Sequence, residues 1–129
     1  SQLNVPSSVT YISTQWDPEN GYEEIYPLRI NQYGLYVKAN CLCDLELVVN
    51  LNNSPLANIA IGFRIFIDDE QSDSLRYFVI PESNGGHNVY YLRHIRLPKD
   101  ATIRPIILKI GDAPAIVRNA TLSAISVSN

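Results

Sequence analysis

Between Leu35 and Val49 every second residue is apolar: Leu35, Val37, Ala39, Cys41, Cys43, Leu45, Leu47 and Val49, with mostly polar residues between them. A period of two belongs to a β-strand, and a one-faced stripe of this length needs a second layer to cover it. Shorter pieces repeat the pattern. Val9–Ile12 predicts a short strand, and Ile25–Ile30 an edge strand, because Pro27 cannot donate to a ladder. Ile59–Ile67 places Ile61, Phe63, Ile65 and Ile67 inward and pairs as a hairpin with Leu75–Ile80. Val89–Leu97, Thr102–Ile110 and Ile116–Val127 complete the set.

Turn chemistry separates these runs: W-D-P-E-N-G at Trp16–Gly21, N-L-N-N-S-P-L-A-N at Asn50–Asn58, N-G-G inside Pro81–Asn88, P-K-D, and G-D-A-P. In the last strand the apolar parity slips between Ala124 and Ile125, which predicts a bulge there. No stretch keeps helical spacing for more than a turn. The pattern therefore predicts an all-β chain, an antiparallel β-sandwich of seven to nine strands, with residues 1–129 as one domain and residues 1–24 as a less regular N-terminal arm.

Composition narrows the class. A chain of 129 residues is one ordinary domain. Its 46% hydrophobic and 18% charged residues exclude a disordered chain. No apolar run approaches the roughly 18 residues of a membrane helix, so no transmembrane segment is expected. A net charge of −3 offers no basic field for a nucleic-acid backbone. Cys41 and Cys43, two apart on one strand face, project in parallel; they cannot form a disulfide and lack the C-x-x-C spacing of metal or redox sites, so buried free thiols are expected.

Catalytic chemistry is thin. His87 and His94 lie near no G-x-S-x-G or H-E-x-x-H pattern, and Gly85-Gly86 lacks the surroundings of a phosphate loop. Glu23, Glu24, Asp44 and Glu46 could be matched into a carboxylate pair, but Asp44 and Glu46 fall on the polar face opposite the cysteines, where carboxylates are ordinarily solvated. The expectation is a non-enzyme requiring no cofactor. Asp68, Asp69, Glu70 and Asp73 crowd one strand connection with the hard oxygen ligands that calcium takes, without the spacing of an EF-hand.

Recognition is better supplied. Trp16 and Tyr22 fall with Tyr11 and Tyr26 in the least regular, acidic part of the chain, where a ring can stack on a sugar face while carboxylates take its hydroxyls. A second cluster joins His87, Asn88, Tyr90, Tyr91, Arg93 and His94. Strict alternation puts Tyr90, Leu92 and His94 on one face and Val89, Tyr91, Arg93, Ile95 and Leu97 on the other. The candidate ligand-binding residues are Trp16, Tyr22, His87, Tyr90 and His94. Leu42, Val48, Tyr36 and Phe66 fall on outer faces, which predicts oligomerisation to cover them.

Gly34-Leu35-Tyr36-Val37, the F-I-D-D at Phe66–Asp69, L-P-K-D-A-T-I at Leu97–Ile103 and the terminal A-T-L-S-A-I-S-V at Ala120–Val127 together resemble the jelly-roll heads of the tumour-necrosis-factor and complement type. Asp100 follows Lys99 directly, where that group usually has an intervening glycine. The resemblance implies a jelly-roll-like sandwich in a homo-oligomer, commonly a trimer. Such heads also occur in phage receptor-binding proteins, which implies a saccharide ligand and a virion-surface or extracellular location. The same order of strands looks like a carbohydrate-binding module of a glycoside hydrolase. A calcium-dependent membrane-binding sandwich and a purely structural assembly protein are the remaining alternatives.

Overall fold

The computed structural model describes residues 2–14, 22–67, 70–79 and 86–127, without the side chains of 22–23 and 70–79. The described residues form eleven strands: β1 (Leu3–Asn4), β2 (Val9–Tyr11), β3 (Tyr22–Ile25), β4 (Leu28–Asn31), β5 (Gly34–Val37), β6 (Cys41–Asn53), β7 (Asn58–Ile67), β8 (Glu70–Val79), β9 (Gly86–Leu97), β10 (Thr102–Ile110) and β11 (Ala115–Val127). Nine of these have four residues or more, within the expected seven to nine; β1 and β2 add short pairings. The strands assemble into two sheets, β1-β11-β6-β9 and β3-β4-β5-β10-β7-β8, with β2 beside β10. All pairs are antiparallel. The chain is an antiparallel β-sandwich, as the alternation predicted.

The two inner faces meet in one apolar core. Cys41, Cys43, Leu45, Leu47, Val49 and Leu51 of β6 face Ile59, Ile61, Phe63 and Ile65 of β7 and Ile103 and Ile107 of β10, all buried. Both cysteines are free thiols on the inward face. Burying apolar surface on this scale is the main driving term of the fold.

Four local expectations are corrected. The long alternating segment is not one strand: β5 belongs to the seven-stranded sheet and β6 to the four-stranded sheet, and residues 38–40 carry the chain across. Parity survives because both strands turn the same set of residues toward the shared core. β6 then runs on to Asn53, four residues into the expected loop, with Leu51 buried. Ile25–Ile30 is not one strand either, since the chain reverses at Tyr26-Pro27, a cis peptide, and folds β3 back on β4. The bulge in β11 lies at Arg118, between Val117 and Asn119, where the buried set changes from Ala115 and Val117 to Ala120 and Leu122. Ile125 stays in register opposite Asp44 and is simply exposed.

The N-terminal stretch is stitched to both sheets. β1 pairs with β11 of one sheet and β2 with β10 of the other, and Val5, Ile12 and Thr14 are buried. Thr14 Oγ1 donates to the Asn31 carbonyl at 3.1 Å, which satisfies its buried hydroxyl. At Gly34, φ is +151°, and an added Cβ would lie 2.1 Å from the Ile103 carbonyl oxygen, so β5 and β10 can close only over a glycine. The turn before β10 uses Asp100 at φ 71°, the left-handed position that glycine would otherwise fill. Its N–H donates to the Val37 carbonyl at 2.8 Å, and its carboxylate accepts the Tyr36 hydroxyl at 3.0 Å.

Candidate functional site

The solvent face of the four-stranded sheet carries the best-formed cluster of recognition groups. Residues of β6 that point away from the core are Leu42, Asp44, Glu46, Val48 and Asn50, and β9 and β11 lay their own outward residues beside them. Glu46 lies opposite Tyr91 on one side and Ser123 on the other; Val48 lies opposite Val89 and Thr121; Asn50 lies opposite His87 and Asn119. Asp44, Glu46, Tyr91, Arg93, Ser123 and Ile125 line a shallow depression of about 260 Å³. That is smaller than the enclosing pockets that engulf small molecules, so the surface suits a ring laid on it face-on.

A bulge organises this face. Between Cys43 and Leu45 the β9 partners jump from Ile95 to Leu92, so Arg93 and His94 together oppose Asp44. His94 takes φ 53°, an uncommon backbone conformation for a side-chain-bearing residue. Its N–H donates to Asp44 Oδ1 at 2.7 Å, a charge-assisted bond that holds the bulge, and its Nδ1 lies 3.5 Å from the same oxygen. Strict alternation is therefore broken: Tyr90, Leu92, Ile95 and Leu97 are the inward residues, while Tyr91, Arg93 and His94 are exposed.

Of the candidates read from the sequence, His87 and His94 reach this outer face. Residues 87 and 91 are four apart on one strand, about 13 Å by strand rise. Tyr90 does not share the face; it packs against the core, and burial pushes its hydroxyl up to about 12. It is a structural ring. Trp16 lies outside the described residues, as do Asp68 and Asp69; Tyr22 is placed in β3 by its backbone alone. Glu70 and Asp73 belong to strand β8 and not to a loop, with side chains outside the description. Among the described residues no three carboxylate, histidine or cysteine side chains gather to hold an ion.

Tyr91 shares the exposed face with Val89 and Arg93, as alternation groups them, and the bulge then moves His94 onto that face and Ile95 and Leu97 off it. Tyr91 is 45% exposed, and the Arg93 guanidinium sits 4.5 Å from its ring centroid, which steadies the ring on the open sheet. The signal for the bulge was present in L-R-H-I, where apolar residues stand three apart at Leu92 and Ile95 inside a strand of period two. Leu42, Val48 and Phe66, expected to be bare, are half-buried, and the exposed apolar residues of this face are Val89 and Ile125. A larger depression of about 410 Å³, lined by Asn40, Cys41, Arg96, Leu97 and Pro98, offers no exposed ring. Its thiol is poorly suited to chemistry, since burial raises the pKa of Cys41.

No protein-family model matches the chain, and no curated protein matches it. Among solved structures the chain is similar to the CBM35 from Cellvibrio japonicus Abf62, at 12% identity over 99% of both chains with a TM-score of 0.36. A superposition that loose carries no argument about ligand or family. The fold class rests on the strand pairing itself. No helix among the described residues is long and apolar enough to cross a membrane.

Proposed function

We propose that this β-sandwich is a non-catalytic saccharide-binding module whose platform is the outer face of the four-stranded sheet. One observation carries the reading: the exposed Tyr91 ring stands opposite Glu46 and beside Arg93, with Ser123 beyond Glu46 in the same depression and Asp44 one row away. A sugar presents an apolar face of C–H groups and a rim of hydroxyls, and a ring flanked by acceptors and donors complements both. Asp44 is committed to the His94 N–H, which assigns it to holding the bulge and leaves Glu46 and Ser123 to meet hydroxyls. Nothing in the arrangement requires a bond to be broken.

The test is a glycan array followed by calorimetric titration of the best binder. Tyr91→Ala should weaken binding by about 1–3 kcal/mol and leave the melting temperature nearly unchanged. No binding to a broad glycan panel, or wild-type affinity in Tyr91→Ala, refutes the reading. A second reading is a homotrimeric head acting at a virion or cell surface; Val89 and Ile125, 46% and 59% exposed on the same face, favour it as apolar surface a neighbouring copy would cover. A solution mass of one chain, independent of dilution, excludes it.

A further inference from the structure

The opposite side of the sandwich holds a cluster that the saccharide reading does not use. Arg64 of β7 and Arg104 of β10 stand directly opposite one another in the ladder, so both side chains leave the seven-stranded sheet on the same face, within about 6 Å at their roots. Like charges placed directly across a ladder oppose pairing. Nearby carboxylates ordinarily offset this, yet among the described residues neither guanidinium meets one: the carboxylates in such contacts are Glu24, with Lys38, and Asp44, beside His94.

Aromatic groups take that place. The Arg104 guanidinium lies 3.7 Å from the centroid of the Tyr11 ring, stacked on it, and 5.8 Å from that of Tyr33. Arg64 lies 5.9 Å from the Tyr11 centroid and donates to the Tyr11 hydroxyl at 3.4 Å. Arg104 Nε donates to the Tyr33 carbonyl at 3.4 Å. Both hydrogen bonds are long. Arg64 Nε is buried from solvent and has no acceptor among the described residues. A guanidinium fork with a dry, unmet N–H beside a second guanidinium is a set of donors without its acceptor.

We propose that Arg64 and Arg104, oriented by Tyr11, form an oxyanion-binding site on the outer face of the seven-stranded sheet. Its ligand chemistry is a carboxylate, or a sulfate or phosphate group, carried by a small molecule. The anion neutralises the cross-strand repulsion and supplies acceptors to the guanidinium N–H groups of the pair, which meet only the two long bonds to Tyr11 and Tyr33 among the described residues. The stacking on Tyr11 keeps both guanidiniums from folding away to bulk water before the ligand arrives, so little ordering is left to the binding step. The site is separate from the Tyr91 platform, on the other sheet, and its failure leaves the saccharide reading untouched.

The test follows the arginine Nε–H resonances of the full chain by nitrogen-15 NMR during titration with sodium sulfate and, separately, sodium malonate, each against sodium chloride at matched ionic strength. A saturable shift of the Arg64 Nε–H signal with either anion, absent with chloride, is expected. Tighter binding of malonate marks a planar carboxylate as the natural group, and tighter binding of sulfate marks a tetrahedral ester. Arg104→Gln, checked for an unchanged amide fingerprint, should weaken the binding at least tenfold, while Tyr11→Phe, which keeps the stacking ring, should retain it within about threefold. Shifts that are linear in concentration and equal for chloride overturn the proposal. So does an Arg104→Gln variant that binds as tightly as the wild type.

Discussion

Raising the pH should unfold this protein through a thiol that solvent never reaches. Cys43 is fully buried, and desolvation, reinforced by Cys41 and Asp44 beside it, pushes its pKa from 9.0 up to about 12. In the unfolded chain the thiol ionises near its ordinary value, so between those limits the unfolded state holds fewer protons than the folded state. The contribution is fully present below pH 9 and is lost as the pH rises toward 12. At pH 11 the unfolded thiol is two units past its pKa while the folded thiol is still mostly protonated, a loss of about 3 kcal/mol. Tyr90, raised from 10.0 to about 12, acts in the same direction and adds about 1 kcal/mol. The assay is urea unfolding at pH 8 and pH 11 under a reductant, for the wild type and for Cys43→Ala. The variant should be about 1–2 kcal/mol less stable at pH 8, from the lost sulfur. It should also lose about 3 kcal/mol less than the wild type between the two pH values. Lysines and the other tyrosines are common to both proteins and cancel in the difference. Equal losses in the two proteins would refute the reasoning.

Gly34→Ala should cost about 4 kcal/mol or more, because its Cβ would meet the Ile103 carbonyl oxygen at 2.1 Å, whereas Gly111→Ala, at φ +89° with open space around it, should cost about 1 kcal/mol; thermal melts compare them. Asp44→Ala removes the acceptor of the His94 N–H and should destabilise by about 1–2 kcal/mol, with faster amide exchange confined to the β9 bulge. Tyr90→Ala should lower the melting temperature, since that ring packs on the core, where Tyr91→Ala should not. If the acidic run at Asp68, Asp69, Glu70 and Asp73 binds calcium, a calcium titration should raise the melting temperature in the wild type and not in Asp69→Asn; no shift in either removes calcium from the account.

The alternation of apolar residues determined the fold class, the inward face of β5 and β6 and the burial of both cysteines, because side-chain parity is a local property of an extended backbone. It could not show the passage of residues 38–40 from one sheet to the other, since β5 and β6 keep one parity while facing each other's layer across the core. The turn at Tyr26-Pro27 was hidden for a related reason: a proline in a short apolar run fits an edge strand as well as a hairpin corner.

The site depended on two bulges and on register, which are decided by pairing partners far apart in the chain. Opposite Asp44 the sheet accommodates Arg93 and His94 together, and that extra residue sets His94 on the outer face with Tyr91 and Arg93 while Ile95 and Leu97 join Tyr90 and Leu92 inward, regrouping the residues that alternation pairs beyond Arg93. Arg64 and Arg104 sit forty residues apart in strands of ordinary composition, and nothing local marks either. Their register across β7 and β10, with Tyr11 brought alongside by the pairing of β2, makes them a pair. A sequence of period two fixes which way each side chain points, but which side chains meet is settled by the ladder, whose energy is earned between segments and not within them.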